Sequence, residues 1–125
     1  MASLNKIFLL GNLTRDPELR HTPGGNSVAS FDLAVNRTFA TASGEKKEDT
    51  LFTTVVVWGK AATAVGEFLK KGHPALVEGR LQYRTWDDKD GVKHSKHEVV
   101  ADRVQFLSRR SPESPEPPDP HDTPF

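Results

Sequence analysis

Hydrophobic residues in the first 110 positions recur mostly every second residue, the spacing of strands that bury one face. Ile7, Phe8, Leu9 and Leu10 form a largely apolar run after Lys6, and Gly11-Asn12 predicts a bulge or bend partway along it. Asp16-Pro17 and Thr22-Pro23-Gly24-Gly25-Asn26 are turn chemistry, with glycine supplying positive φ. Clean alternation follows: Ala29, Phe31, Leu33 and Val35 point one way, while Ser30, Asp32 and Asn36 point the other. Residues 37–49 are too charged for a core and too many for a tight turn, so they predict an extended hairpin loop before a strand over residues 50–58.

One segment breaks the two-residue period. Ala61, Ala62, Val65, Phe68 and Leu69 fall at the spacing of one helix face. Lys70 and Lys71 then fit the last turn, Gly72 a C-terminal cap, and Pro74 the end of helical possibility. Residues 75–85 and 94–107 alternate again, flanking Asp87-Asp88-Lys89-Asp90-Gly91, a hairpin loop with glycine near its end. The order is β-β-β-α-β-β, an all-β chain with one helix. A sandwich needs more strands and a parallel sheet needs alternating helices. Five strands with a helix after the third match the OB-fold, a small five-stranded Greek-key barrel.

Composition divides the chain in two. Its 125 residues carry seventeen Lys+Arg and seventeen Asp+Glu, a formal charge of zero. Residues 111–125 hold six of the nine prolines, four acids (Glu113, Glu116, Asp119, Asp122) and no Lys or Arg. Residues 1–110 therefore hold 17 basic against 13 acidic residues, a charge of +4. A Pro-rich acidic stretch with almost no apolar residues cannot offset its ordering entropy, which predicts a disordered tail behind a mildly basic domain at residues 1–110. The chain has no cysteine, so disulfides, thiolate catalysis and Cys-bound zinc are excluded. No run reaches the roughly 18 apolar residues of a membrane span, and the N-terminus lacks the pattern of a signal peptide. The expected address is cytoplasmic.

Catalytic chemistry finds no residue to rest on. Gly24-Gly25 is an isolated turn pair rather than a phosphate loop. His94 and His97 are three apart on an expected strand, which puts them on opposite faces and argues against a metal pair. Asp87, Asp88 and Asp90 share a turn open to water, where carboxylates are expected to keep ordinary pKa values. No Ser or Thr stands in a nucleophile motif. The sequence predicts a protein that is not an enzyme and needs neither cofactor nor metal.

The aromatics are the informative residues. Phe39 lies among charged residues with no apolar partner in sequence, and Trp86 ends a strand beside the 87–91 turn. Phe52 and Trp58 share a strand face with Thr54 and Val56, while Leu51, Val55 and Val57 are expected on the core side. Six residues at about 3.3 Å each separate Phe52 from Trp58 by roughly 20 Å, room for several nucleotides. Phe8, Phe31, Phe68, Tyr83 and Phe106 are expected in the core or an interface. Basic residues interleave with the aromatics: Arg37 before Phe39, Lys46 and Lys47 in the same segment, Lys60 after Trp58, Arg84 before Trp86. Aromatic platforms beside cations are what sequence-tolerant binding of a single strand requires, because every base has a π-face and every nucleotide a phosphate.

The chain also resembles the bacterial-type single-stranded DNA-binding proteins. The resemblance rests on Asn5-Lys6-Ile7-Phe8-Leu9-Leu10-Gly11-Asn12-Leu13, Asp16-Pro17-Glu18-Leu19-Arg20, Val28-Ala29-Ser30-Phe31-Asp32-Leu33-Ala34, Trp58-Gly59-Lys60, Lys71-Gly72, Val77-Glu78-Gly79 and Arg84-Thr85-Trp86. It spans residues 2–107 and the last few positions. It implies stacking of single-stranded DNA on Phe39, Phe52, Trp58 and Trp86, with phosphate contacts at Lys6, Arg20, Lys60, Lys71 and Arg84. It also implies a homotetramer acting in DNA replication, recombination and repair on the nucleoid.

The terminal Asp119, Asp122, Thr123, Pro124 and Phe125 are similar to the acidic tip of that family, although here Pro and His space the acids. A terminal Phe ring with its α-carboxylate can plug a basic-rimmed apolar pocket, and the resemblance implies that the partners are replication, recombination and repair proteins. Two other readings stay open on sequence grounds. One is an OB-fold adaptor whose main business is protein contact. The other is an RNA-binding module, since stacking does not distinguish the sugars.

Overall fold

The computed structural model describes residues 1–107. Its elements are β1 (Ile7–Leu13), β2 (Glu18–His21), β3 (Ser27–Ala40), β4 (Lys46–Trp58), α1 (Lys60–Phe68), β5 (Pro74–Asp87) and β6 (Lys93–Phe106). Hydrogen bonding runs β1-β5-β6-β4-β3 and returns to β1, closing a five-stranded barrel. Every pairing is antiparallel except β4 with β6, where Val55 faces Val99 and Val57 faces Ala101. The fold is the expected OB barrel. Its sixth strand is an addition: β2 pairs along Ser27–Ser30 of β3, on the edge that β1 uses at Leu33 and Ala34.

Alternation placed most of the core correctly. Ala29, Phe31 and Leu33 of β3 are fully buried, as are Val55 and Val57 of β4, with Ala75 and Val77 from β5 and Val99 from β6. The helix closes one end of this core with Ala62 and Val65, and Leu69 follows just beyond it. Two glycines let the barrel close. A Cβ on Gly11 would overlap the Ala34 carbonyl, and one on Gly79 would overlap that of Val100, where β5 shifts register against β6.

Three expectations need correction. Residues 37–49 do not form a loop: β3 runs to Ala40 and β4 starts at Lys46, leaving a turn at residues 41–45 closed by Gly44 N–H donating to the Thr41 carbonyl. The two strands leave the barrel as a ribbon wetted on both faces, so charge is no bar to strand there. For the same reason Leu51, expected in the core, is 51% exposed. Gly72 does not cap the helix and Lys70 and Lys71 lie beyond it; Leu69 caps in extended conformation, and Gly72, at φ 86°, donates to the Leu13 carbonyl at 2.8 Å. Of the five aromatics expected in the core or an interface, Phe31 is the one in the core; Phe8, Phe68, Tyr83 and Phe106 are exposed on this chain, where the interface half of the expectation applies.

Candidate nucleic-acid interface

Even-numbered residues of β4 form the outer face of the barrel beside the sheet pairings to β3 and β6. Phe52 and Trp58 stand on it, 68% and 51% exposed, with Thr54 and Val56 between them. Neighbouring strands add their own outward residues: Val28 and Ser30 from β3, Glu18 and Arg20 from β2, Lys96, Glu98 and Val100 from β6, and Gln82 and Arg84 from β5. Together with Arg15 these residues and Trp58 line a groove of about 370 Å³. A second hollow, lined by Thr14, Asp32, Phe52, Thr54 and Lys96 among others, continues it past Phe52. Lys96 belongs to both.

The arginines of this groove sit beside carboxylates. Arg15 Nε is 3.3 Å from Asp32 Oδ2, Arg20 Nε 3.9 Å from Glu18 Oε1, and Arg84 Nε 2.7 Å from Glu98 Oε1. The first two pairs are exposed and contribute little stability. The third has a buried carboxylate. Asp32 is also fixed by the Thr54 hydroxyl, which donates to Oδ1 at 2.9 Å. No carboxylate of the described residues pairs with Lys96.

The two hairpin arms each carry an arginine and an aromatic two residues apart. Arg37 Cζ lies 4.9 Å from the Phe39 ring centre, and Arg84 Cζ lies 4.4 Å from that of Trp86. Such pairs hold the ring and the cation in one place. Trp86 is further covered by its cross-strand neighbour His94, whose ring is stacked at 5.4 Å and 20°. The hairpin tip is built around Asp88: its Oδ1 accepts the backbone N–H groups of Asp90 and Val92, and its Oδ2 lies 2.8 Å from His94 Nε2.

The expected site residues therefore separate. Phe52, Trp58, Trp86, Arg20 and Arg84 share one face. Phe39 does not: opposite Lys47, it has the parity of Val35 and Leu51 and belongs to the other face of the β3–β4 ribbon, with Arg37. Lys46 and Lys47 begin β4 at the tip of that arm, and Lys60 opens α1 just past Trp58. Lys71 lies between α1 and β5, its backbone N–H donating to Asp16 Oδ1 at 2.8 Å. Lys6 is not among the groove residues; it pairs with Glu78 at 2.7 Å, beside the Phe8 ring. Sequence reading missed Arg15 and Lys96. Alternation with Glu98 and Val100 was a signal for Lys96; Arg15, in a short connection, offered none. Asp119, Asp122, Thr123, Pro124 and Phe125 lie outside the described residues.

Charge perturbations fall at the edges of this surface. Asp88 does not keep an ordinary pKa: the hydrogen bond with His94, then those from the Val92 and Asp90 amides, hold it below the usual carboxylate value. Glu78 is lowered and Lys6 raised, each chiefly by their mutual hydrogen bond. His94 and His97 fall on opposite faces of β6, against Trp86 and Tyr83 respectively. No three His, Cys, Asp or Glu residues gather as a metal site among the described residues, and no described helix is long and apolar enough to cross a membrane.

A closed OB barrel whose outer face carries exposed aromatics among arginines and a lysine defines the class. Residues 4–107 match the Single-strand binding protein family, and the chain belongs to it. It is 50% identical over 108 residues to Single-stranded DNA-binding protein 2 of Listeria monocytogenes, an alignment covering 86% of this chain and 66% of the relative. The chain thus spans slightly under two thirds of that relative's length. Among solved structures, it superposes on a deletion mutant of the single-stranded DNA binding protein from Thermus aquaticus with a TM-score of 0.77 at 40% identity, covering 86% of this chain and 52% of the other. It also superposes on the Plasmodium falciparum SSB complex with ssDNA, with a TM-score of 0.80 at 28% identity, covering 86% and 98%.

Proposed function

We propose that this chain binds single-stranded DNA without sequence preference, protecting and organising it in replication, recombination and repair. The observation that carries the reading is the single outer face on which Phe52 and Trp58 stand exposed among Arg15, Arg20, Arg84 and Lys96. Stacking supplies about 1–3 kcal/mol per base, independent of which base it is. The cations supply a salt-dependent term; four phosphates met by four groove cations give a slope of about −2.8 in log K against log salt. Trp86 extends the platform along the β5–β6 arm. Phe39 extends it to the far face of the β3–β4 arm, so the strand passes around that arm's edge.

The chain acts by binding, with no catalytic step. Residues 1–110 form the binding domain and residues 111–125 an acidic tail, whose tip at Asp119, Asp122, Thr123, Pro124 and Phe125 recruits partner proteins. The functional unit is a homotetramer in the cytoplasm, where the nucleoid supplies the ligand.

The test is a titration of poly-dT against duplex DNA at two salt concentrations, with mass measured alongside. Tight, salt-sensitive binding to the single strand alone, by a species of four chains, is expected. Equal or absent binding to the two ligands would sink the reading in favour of a protein-contact adaptor. A pull-down in which deletion of residues 123–125 changes no partner would sink the role of the tip.

A further inference from the structure

The proposed groove has a charge of the wrong sign at its floor. Glu98 is 5% exposed and is the buried charged side chain among the described residues. A carboxylate there opposes phosphate binding, and its burial is costly unless it is paired. Its partner is Arg84, whose Nε–H donates to Oε1 at 2.7 Å.

That contact is directional. An arginine held through Nε keeps the four N–H groups of its two terminal nitrogens free, and the plane of the fork is set by the bond. The same guanidinium lies 4.4 Å from the Trp86 ring centre. Trp86 is in turn stacked with His94, and His94 meets Asp88 at 2.8 Å. On one face of the β5–β6 hairpin the side chains therefore run Glu98, Arg84, Trp86, His94, Asp88, with a carboxylate at each end and the aromatic at the centre. Phe52 and Trp58 have no comparable bracing: they are 68% and 51% exposed, against 38% for Trp86.

We propose that Glu98 is a positioning residue for single-strand binding, holding Arg84 through Nε so that its guanidinium and the Trp86 ring are already set for one base and its adjoining phosphate. The inference rests on the single-strand reading above. It explains why a negative charge is kept in a groove for anions: the long arginine chain is ordered before the strand arrives, a cost that binding would otherwise bear.

The two accounts of Glu98 differ in sign. As a bare charge in the groove it weakens DNA binding, so Glu98→Gln should tighten it. As a positioning residue it strengthens binding, so Glu98→Gln should weaken it. The experiment is a double-mutant cycle on the full chain, using Glu98→Gln, Arg84→Ala and both together, titrated with oligo-dT at one salt concentration. We expect Glu98→Gln alone to weaken binding by about threefold to tenfold, and to change nothing or tighten binding once Arg84 is Ala. In a Trp58→Phe chain without DNA, where Trp86 is the remaining tryptophan, Glu98→Gln should lower the emission anisotropy. Equal or tighter binding by Glu98→Gln, or the same loss with Arg84 already removed, would overturn the proposal. If Glu98→Gln does not fold, Arg84→Lys decides. It keeps the charge but not the planar fork, and should lose most of what Arg84→Ala loses; binding like the unsubstituted chain would overturn the proposal. Failure of the unsubstituted chain to bind oligo-dT would instead sink the single-strand reading itself.

Discussion

The side-chain amide of Asn5 makes both hydrogen bonds that a paired strand residue would make to Leu81: its Nδ2 donates to the Leu81 carbonyl at 2.7 Å, and its Oδ1 accepts the Leu81 N–H at 2.9 Å. The ladder between β1 and β5 reaches Ile7 and Gly79 in backbone and is continued here by a side chain. Asn5→Ala should cost about 1 kcal/mol, since both bonds are exposed. Hydrogen exchange at the Leu81 amide should accelerate at the same time. Unchanged exchange there would show that the amide pair does not hold β5.

The stacking residues should differ according to face. Phe52→Ala or Trp58→Ala should each cost about 1–3 kcal/mol of binding to oligo-dT of any length that fills the groove. Phe39→Ala should cost as much only for oligomers long enough to pass around the β3–β4 arm. Titrating all three variants with a length series separates the faces. An equal loss on the shortest oligomer for Phe39→Ala and Phe52→Ala would contradict the register.

Barrel closure should be sensitive at Gly79. Gly79→Ala pushes a methyl into the Val100 carbonyl, backbone that cannot swing away. Destabilisation of about 1–3 kcal/mol or more is expected, read as a shift in the urea midpoint. A midpoint within error of the unsubstituted chain would mean that β5 and β6 separate at no cost.

Asp88 marks one place where acid acts. Its pKa is lowered below the ordinary value of 3.8, chiefly by the His94 hydrogen bond. A depressed carboxyl stabilises the fold above its unfolded pKa, and that contribution is lost as pH falls through the lowered folded value. The hairpin tip should therefore loosen below about pH 4, as should the Lys6–Glu78 pair on its acid side, because Glu78 is lowered in the same way. On the alkaline side Lys6 is raised above 10.5, and its contribution goes as pH rises through that raised value. NMR titration of the Asp88 carboxyl should move toward the ordinary value in His94→Ala. No movement would assign the depression to the Val92 and Asp90 amides alone.

How far the sequence could be read follows from which faces are buried. The barrel strands were legible because Ala29, Phe31, Leu33, Val55 and Val57 alternate against solvent, and the helix because Ala62, Val65 and Leu69 do not. β2 was not, since all four of its residues are exposed and nothing alternates. The β3–β4 arm was misread as loop for a related reason: a ribbon with two wet faces has no apolar period to detect. Phe52 and Trp58 could be paired because a strand's parity is local. The face of Phe39 could not, because residues 37–49 read as loop and parity has meaning only along a strand. The bond from Glu98 to Arg84 joins residues fourteen apart across a hairpin, beyond any local pattern.

The parallel contact of β4 with β6 joins Val55 to Val99, across the helix and the whole of β5. During synthesis, residues 27–58 can emerge and pair as a hairpin, yet the second edge of β4 stays unmatched until Val99 to Ala101 clear the ribosome. For that interval the nascent chain is an open sheet with Val55 and Val57 uncovered. Its most vulnerable moment therefore falls when all but its last described strand has emerged.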